Sequence, residues 1–431
     1  MTIKTEPDDL DLCIEPPATI AVLGAGPMGV ETALYARYLG YHVALIEQRG
    51  VAAQVRQWGH LEMDAAFRQC RSTLGLAALR AQDPAYQPPG DGVILTGKQW
   101  AENYVTPLAR TDLVVDQLRI PSRVVRVDRF DRAASSPAPS ASERPAEAGR
   151  FRILVASDGG RESLLPADVV VDTTGVMTRP RGCGPDGTPV VGERALAARI
   201  EYGLPDVARA QRACYAGHRT LVVGSEVTAA RTLRALAQLA ELDGNTSVQW
   251  AVRAGLTDDQ LASAKRHIAR VAPAWKQTTD RAVRYARDPA RPRVQCVDAA
   301  VDSILFDESR QVFEVSFRGR DTTATFDRIV VNAGYRPDAS IHENLGVVLD
   351  PVFGCLATLA QPLRGARPLT EYDPANWRDW LPTTEPHFYI LGAKTFGGFP
   401  GFRFAIGLDQ VRALFQILGG RETLDLYATA P

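Results

Sequence analysis

Three glycines and one carboxylate carry the clearest chemical signal in the chain. Gly24, Gly26 and Gly29 are spaced as GxGxxG within GAGPMG, and Glu47 follows Gly29 by 18 residues. In this spacing the first glycine permits a tight turn, the second leaves room for a pyrophosphate to approach the backbone, and the third lets a helix pack closely on a strand. The phosphates then rest on the free N–H groups that open the helix. A carboxylate at Glu47 accepts hydrogen bonds from an adenosine ribose and repels a 2′-phosphate, so this set suits FAD or NAD better than NADP. Pro27 and Met28, inside the turn, and Gln48, beside Glu47, are counted with the same cofactor-binding set.

The surrounding pattern supplies the elements such a site needs. Ile20–Leu23 is a short continuous apolar strand, the glycine turn breaks it, an apolar-periodic helix runs through Leu34 and Leu39 to a stop at Gly40, and His42–Glu47 (HVALIE) is a second buried strand. The same β-α-β unit recurs about 200 residues later. There Leu221–Val223 leads into GSEVTA, a helix runs to about Leu242, Asp243-Gly244-Asn245 turns the chain, and Ser247–Arg253 returns as a strand. Further apolar strands close at Thr174–Gly175 (VVVDTTG), at Ala333–Gly334 (NAGYRPD) and at Gly392 (FYILGAK), and a last helix is expected from about Phe404 to Leu418. Residues 1–18, acidic and proline-containing, read as a flexible tail with order beginning at Thr19. The Ser/Pro/Ala-rich segment 133–149 reads as a flexible hairpin tip between strands 122–129 and 151–156, against the alternative of an interdomain linker.

Composition narrows the function classes. Lys plus Arg number 49 and Asp plus Glu 50, for a net charge of -1, which gives no overall field for gathering nucleic acid or an anionic membrane. Cysteines 13, 70, 183, 214, 296 and 355 form neither a CxxC nor a zinc-knuckle spacing, so neither a structural metal nor a redox-active dithiol is expected. The acidic N-terminus does not read as a secretory signal, and no apolar run reaches the length of a membrane span. A cytoplasmic protein with free thiols and a small-molecule substrate is the expectation; the oligomeric state stays open.

The order GAGPMG, VVVDTTG, a second nucleotide-type unit, NAGYRPD and FYILGAK with its closing helix resembles the flavoproteins with two dinucleotide-binding domains, the glutathione reductase, thioredoxin reductase and flavin-dependent monooxygenase families. The resemblance runs from about Thr19 to Leu418. It implies that the first unit and the C-terminal segment hold FAD, with Val125, Thr174, Gly175, Gly392 and Phe404 joining the glycine turn, and that the middle unit receives NADPH or NADH. Three departures stand out. In the middle unit Gly224 and Ser225 are followed by Glu226, where a glycine normally admits the pyrophosphate, while Arg253 ends the next strand where it can pair with a 2′-phosphate. Those two signals conflict, and NAD(P)H binding and a purely structural unit both stay open. The Gly-Asp whose carboxylate binds the flavin ribityl chain is here Gly392-Ala393, followed by Lys394, which reads either as a group approaching flavin or as a solvated lysine. Finally, no cysteine pair accompanies the FAD unit. In the loop after Glu47, which can lie beside the isoalloxazine in this architecture, the resemblance offers Trp58 as a wall of the flavin, and His60 reads either as a donor to it or as a surface or structural histidine.

The expected fold is α/β: two Rossmann-like three-layer dinucleotide-binding domains, the second inserted in the first, with the FAD domain at 19–190 and 336–431 and the NAD(P)-binding-like domain at 191–335. The expected function is an FAD-dependent oxidoreductase, monooxygenase-like, carrying electrons from NAD(P)H through flavin to oxygen. The alternatives are a substrate-reduced FAD oxidase or dehydrogenase and a non-catalytic flavin-binding redox sensor or scaffold. The catalytic residues are unknown, with His60 and Lys394 as candidates, and no metal is expected. If Glu226 opposes the pyrophosphate, Glu226→Gly tightens nicotinamide-nucleotide binding about tenfold, equivalent to ~1.4 kcal/mol. Tight NADPH binding by the parent chain that weakens in the variant, read by equilibrium titration, would contradict the repulsion.

Overall fold

The structure, a computed structural model, describes residues 12–130, 150–184, 187–225, 227–252, 273–351, 353–364, 373–399 and 401–430. The hairpin tip 133–149, Glu226 and Arg253 lie outside the described residues. The chain forms two compact units. One runs through Val176, resumes over Pro337–Leu363 and includes the C-terminal segment; the other spans Met177–Arg336.

Along the first unit, the strand β1 (Thr19–Leu23) feeds the glycine turn and helix α1 (Pro27–Tyr38), and β2 (His42–Ile46) returns parallel to β1. Helix α2 (Thr73–Gln82) follows, with Ser72 accepting the Gly75 amide as its N-cap, and β3 (Val169–Asp172) completes this stretch. The second unit contributes β4 (Arg219–Val223), α3 (Val227–Leu242), β5 (Ser247–Ala251) and β6 (Arg328–Val331). The first unit resumes with β7 (Phe388–Ile390), α4 (Phe404–Leu418) and the terminal turn α5 (Leu426–Thr429).

In the first unit β7, β3, β1, β2 and the short strand Leu118–Arg119 form one all-parallel sheet in that order. Its central strands are apolar at nearly every position, because a parallel sheet is covered on both faces and leaves no side for polar alternation. A separate antiparallel meander, Ser122–Arg129, Phe151–Ser157 and Glu162–Ala167, belongs to the same unit. Arg129 opposite Phe151 shows that the strands flanking 133–149 pair as a hairpin. In the second unit Val294–Val297, β5, β4 and β6 form a four-stranded parallel sheet, accompanied by an antiparallel meander over Val301–Asp307, Val312–Phe317 and Thr323–Phe326. No helix among the described residues is long and apolar enough to cross a membrane.

Two expected boundaries shift. Order starts before Thr19: the Ile14 amide donates to the Leu418 carbonyl at 2.8 Å, and the Ile14 carbonyl accepts the Tyr41 hydroxyl at 2.7 Å. Acidic composition hid this apolar anchor. The first crossing between units falls after Val176 rather than after residue 190, because Arg179–Pro180 pairs antiparallel with Tyr335–Arg336 and the Arg181 amide donates to the Gly334 carbonyl.

The glycine turn shows why two of its glycines are structural and one is not. Gly24 sits at φ +97°, and a Cβ on Gly29 would stand 1.8 Å from the Gly24 carbonyl oxygen. A Cβ on Gly26 would meet nothing within 4 Å. Gly29→Ala is therefore expected to cost about 3 kcal/mol or more through overpacking against backbone. Gly26→Ala, at a φ of -72° that alanine adopts readily, should stay within about 0.5 kcal/mol of the parent protein in chemical denaturation.

Candidate functional site

The site grows from the start of α1. The first intrahelical bond runs from the Val30 amide to the Gly26 carbonyl at 3.0 Å, so the amides ahead of it have no partner within the helix. Gly26 is the N-cap without a side-chain cap, Pro27 stands in the first turn, and that turn carries no acidic residue. The result is a positive helix end with open space at Gly26, which fits a diphosphate.

Glu47, one residue beyond β2, holds the loops around that space. Its Oε2 accepts the Ala25 amide at 2.9 Å, and Oε1 accepts those of Arg49 at 2.7 Å and Gly50 at 3.3 Å. A carboxylate has about four acceptor positions, so one on Oε2 remains for a ribose hydroxyl. Gln48, next in the chain, is exposed.

The far wall is made by Thr174 and Gly175. Gly24 approaches so closely that a Cβ there would lie 3.3 Å from the Thr174 Cα. Gly175 has φ +74°, and Gln54 reaches across to donate to the Thr174 carbonyl at 3.4 Å, a contact the sequence did not signal. Gly392, at φ +78°, closes the third side, and its amide donates to Gln410 Oε1 at 2.7 Å. Met28 packs between this glycine and α4: a Cβ on Gly392 would be 3.1 Å from Met28 Cγ, and one on Gly407 would be 2.3 Å from its Sδ. Helix α4 also starts uncapped, at Arg403, with its first bond from the Gly407 amide to the Arg403 carbonyl.

Lys394 is the main correction. It is not a solvated lysine; it is fully buried, and its Nζ donates to Asp172 Oδ2 at 2.5 Å, to Thr174 Oγ1 at 3.0 Å and to the Asp338 carbonyl at 2.6 Å. All three of its protons are committed, which removes it from direct contact with a reacting atom and makes it a positioning residue. Asp172 completes the set by accepting both the amide and the hydroxyl of Thr174 on Oδ1. Burial pushes the Asp172 carboxyl up, but the Lys394 cation and these hydrogen bonds outweigh it and hold the group below its ordinary value. His342, with Nε2 3.9 Å from Asp172 Oδ2, is buried and pushed down by desolvation, so it stands neutral beside the pair. The readable signal was Asp172 itself, an acid ending an otherwise apolar strand.

The remaining expected residues are more dispersed. The indole of Trp58 packs on Gly97, where a Cβ would lie 2.6 Å from Cζ3, and His60 is half-buried just beyond it. Phe404 is buried edge-on against Trp100, with centroids 5.4 Å apart. Val125 sits at the bulge between Val124 and Arg126, outside the ladder with Phe151–Ser157. In the second unit Gly224 has φ +142°, and a Cβ on it would lie 2.3 Å from the Asn332 carbonyl oxygen. Its own carbonyl accepts the Trp250 indole N–H at 2.7 Å, and Ser225 follows half-buried. Asn332 anchors this turn, accepting from the Thr232 hydroxyl at 2.6 Å and donating to the Gly203 carbonyl at 2.7 Å.

These features define the fold of the flavoproteins with two dinucleotide-binding domains. Comparison with solved structures agrees. The bacillithiol disulfide reductase of Bacillus cereus superposes with a TM-score of 0.59 at 16% identity, covering 96% of this chain and 98% of that one. The cadaverine monooxygenase of the desferrioxamine pathway from Erwinia amylovora, solved with FAD, gives 0.57 at 14% identity over 94% and 95%. Thioredoxin reductase from T. acidophilum gives 0.53 at 16% identity over 92% and 97%. No protein-family model and no curated protein sequence matches the chain.

The Lys394–Asp172 pair gives a direct test. Lys394→Met leaves a buried carboxylate uncompensated and should destabilise the protein by about 3–5 kcal/mol, whereas Lys394→Met combined with Asp172→Asn should recover a large part of that loss. Thermal and denaturant unfolding of the four proteins of the cycle measures it; additive losses would show that the pair is not coupled.

Proposed function

We propose that the chain is an FAD-dependent oxidoreductase of the monooxygenase-like kind. The observation that carries this reading is the Gly26 cradle: an uncapped helix start facing open space, ringed by Glu47, Thr174–Gly175 and Gly392. Its donors and its one free carboxylate position match a diphosphate and a ribose. When bound, FAD supplies two-electron redox chemistry that no side chain here offers.

The chain's own residues do the rest. The amides at the start of α1 neutralise the diphosphate, and Glu47 fixes the ribose end. The Lys394–Asp172 pair keeps Thr174 and Gly175 in place, and the open end of α4 favours negative charge on whatever lies before it. The overall stoichiometry proposed is one NADPH or NADH oxidised per dioxygen, with one oxygen atom entering a small-molecule substrate and the other leaving as water.

Thiol chemistry is disfavoured by the cysteines. None of the six is in a disulfide, and burial pushes the thiols of Cys70, up to about 11, and of Cys183 and Cys296 above their ordinary values, which leaves these three protonated and weakly nucleophilic at neutral pH. A substrate-reduced oxidase is the second reading, favoured by the carboxylate of Glu226 in the middle unit's glycine turn.

The purified chain is expected to carry noncovalent FAD, and Gly26→Glu should remove it by placing bulk and charge in the diphosphate path while the fold persists. Anaerobic mixing with NADPH and with NADH separates the two readings. Bleaching of the flavin absorbance is the expected result. An unbleached flavin points to the substrate-reduced enzyme, and a fully yellow Gly26→Glu protein overturns the cofactor assignment.

A further inference from the structure

Glu31 is a buried carboxyl that the cradle does not use. It lies on α1 two residues past Gly29, fully inaccessible to solvent. Its Oε1 accepts the Tyr104 hydroxyl at 2.6 Å, and its Oε2 faces the Tyr427 hydroxyl at 3.5 Å. Tyr104 belongs to a π-helical turn, Ala101–Val105, and its oxygen accepts the Ser72 amide at 2.9 Å. The absence of a side chain at Gly75 is what admits this hydroxyl, since a Cβ there would stand 2.2 Å from it. A tyrosine from the π-turn, a helix cap and a tyrosine from α5 thus converge on one acid.

Among the described residues, the groups around that acid offer it hydrogen bonds and no cation. From α2 comes Ser72, from the π-turn Tyr104, from α5 Tyr427, and from α1 itself Tyr35, which donates nothing to Glu31 and accepts the Leu426 amide. Asp425 and the α4 residues Asp409 and Arg412 are charged, but they pair with one another, Arg412 bridging Asp409 at 2.8 Å and Asp425 at 3.1 Å. Tyr104 and Tyr427 are pushed well above the ordinary tyrosine value by burial and stay protonated throughout the physiological range. Burial pushes Glu31 itself up to about 7, with the hydroxyl hydrogen bonds pulling the other way.

We propose that Glu31 is a proton-operated regulator of anionic-cofactor binding at the Gly26 cradle: the cradle takes the diphosphate of FAD with Glu31 protonated and loses affinity when Glu31 ionises. The inference rests on the FAD reading above. Five residues of helix separate Gly26 from Glu31, about 7.5 Å of rise. At that range a carboxylate in the protein interior is little screened by salt; it offsets the positive field of the helix start and repels the diphosphate. Linkage makes the effect reciprocal, so cofactor binding raises the proton affinity of Glu31 and takes up protons near neutral pH.

The test is titration of the full chain, freed of flavin, with FAD at pH 6 and pH 9, together with calorimetry in two buffers of different ionisation enthalpy. The expected result is a Kd about tenfold higher at pH 9, one unit of coupling, and proton uptake on binding near pH 7.5. Glu31→Gln keeps an acceptor for Tyr104 and should bind equally at both pH values without proton uptake. Tyr104→Phe removes a hydrogen bond that favours the anion and should move the loss of affinity to higher pH. A second reading needs no cofactor: the parent protein should lose stability as pH rises from 4.5 to about 7, the window between the ordinary and the raised carboxyl value, and Glu31→Gln should not. FAD binding that is independent of pH, or a pH dependence that survives in Glu31→Gln, overturns the inference alone; no FAD binding at either pH overturns the cofactor reading and this inference with it.

Discussion

The charge on Asp172 is the constraint around which the first unit is organised. A parallel sheet covered on both faces has no solvent to offer a carboxylate at the end of an interior strand, so the charge must be met inside the protein. Lys394 meets it, and in doing so it ties the end of β3 to the segment after β7 and to the Asp338 carbonyl, three stretches far apart in sequence. The turn that emerges, Thr174–Gly175, is thereby held against Gly24, and the cradle acquires a fixed wall. An apolar pair of similar volume would match the interior at lower desolvation cost but would leave Thr174 without its two oxygen and nitrogen partners.

Much of this was legible in the sequence, and the reasons are local. The glycine turn announces itself because its three positions answer three separate steric demands, and the flanking apolar runs have the lengths of buried parallel strands. The hairpin around 133–149 was readable from alternation on both sides. What escaped were pairings made only by the tertiary fold. The role of Lys394 escaped because its partner lies 222 positions away, and nothing near Glu31 in sequence indicates that Tyr104 and Tyr427 converge on it. Ile14 was hidden by the acidic residues around it.

The second unit solves the same steric problem as the first with different parts. Where Gly24 is held against Thr173 and Thr174, Gly224 is held against the Asn332 carbonyl, and the Trp250 indole takes up the carbonyl of the turn. Asn332 uses both ends of its side-chain amide to join α3 to Gly203, accepting from the Thr232 hydroxyl and donating to the Gly203 carbonyl.

Met28 has a consequence for how such a sequence can change. Its thioether fills the volume that the missing side chains of Gly392 and Gly407 leave, so residues 28, 392 and 407 divide one fixed volume among them. Enlarging position 407 requires shrinking position 28, and a small residue at 28 frees the opposite helix to carry a methyl group. Related chains should therefore show these positions varying in opposition, so that the bulk at one predicts the bulk at the other although nearly the whole chain separates them.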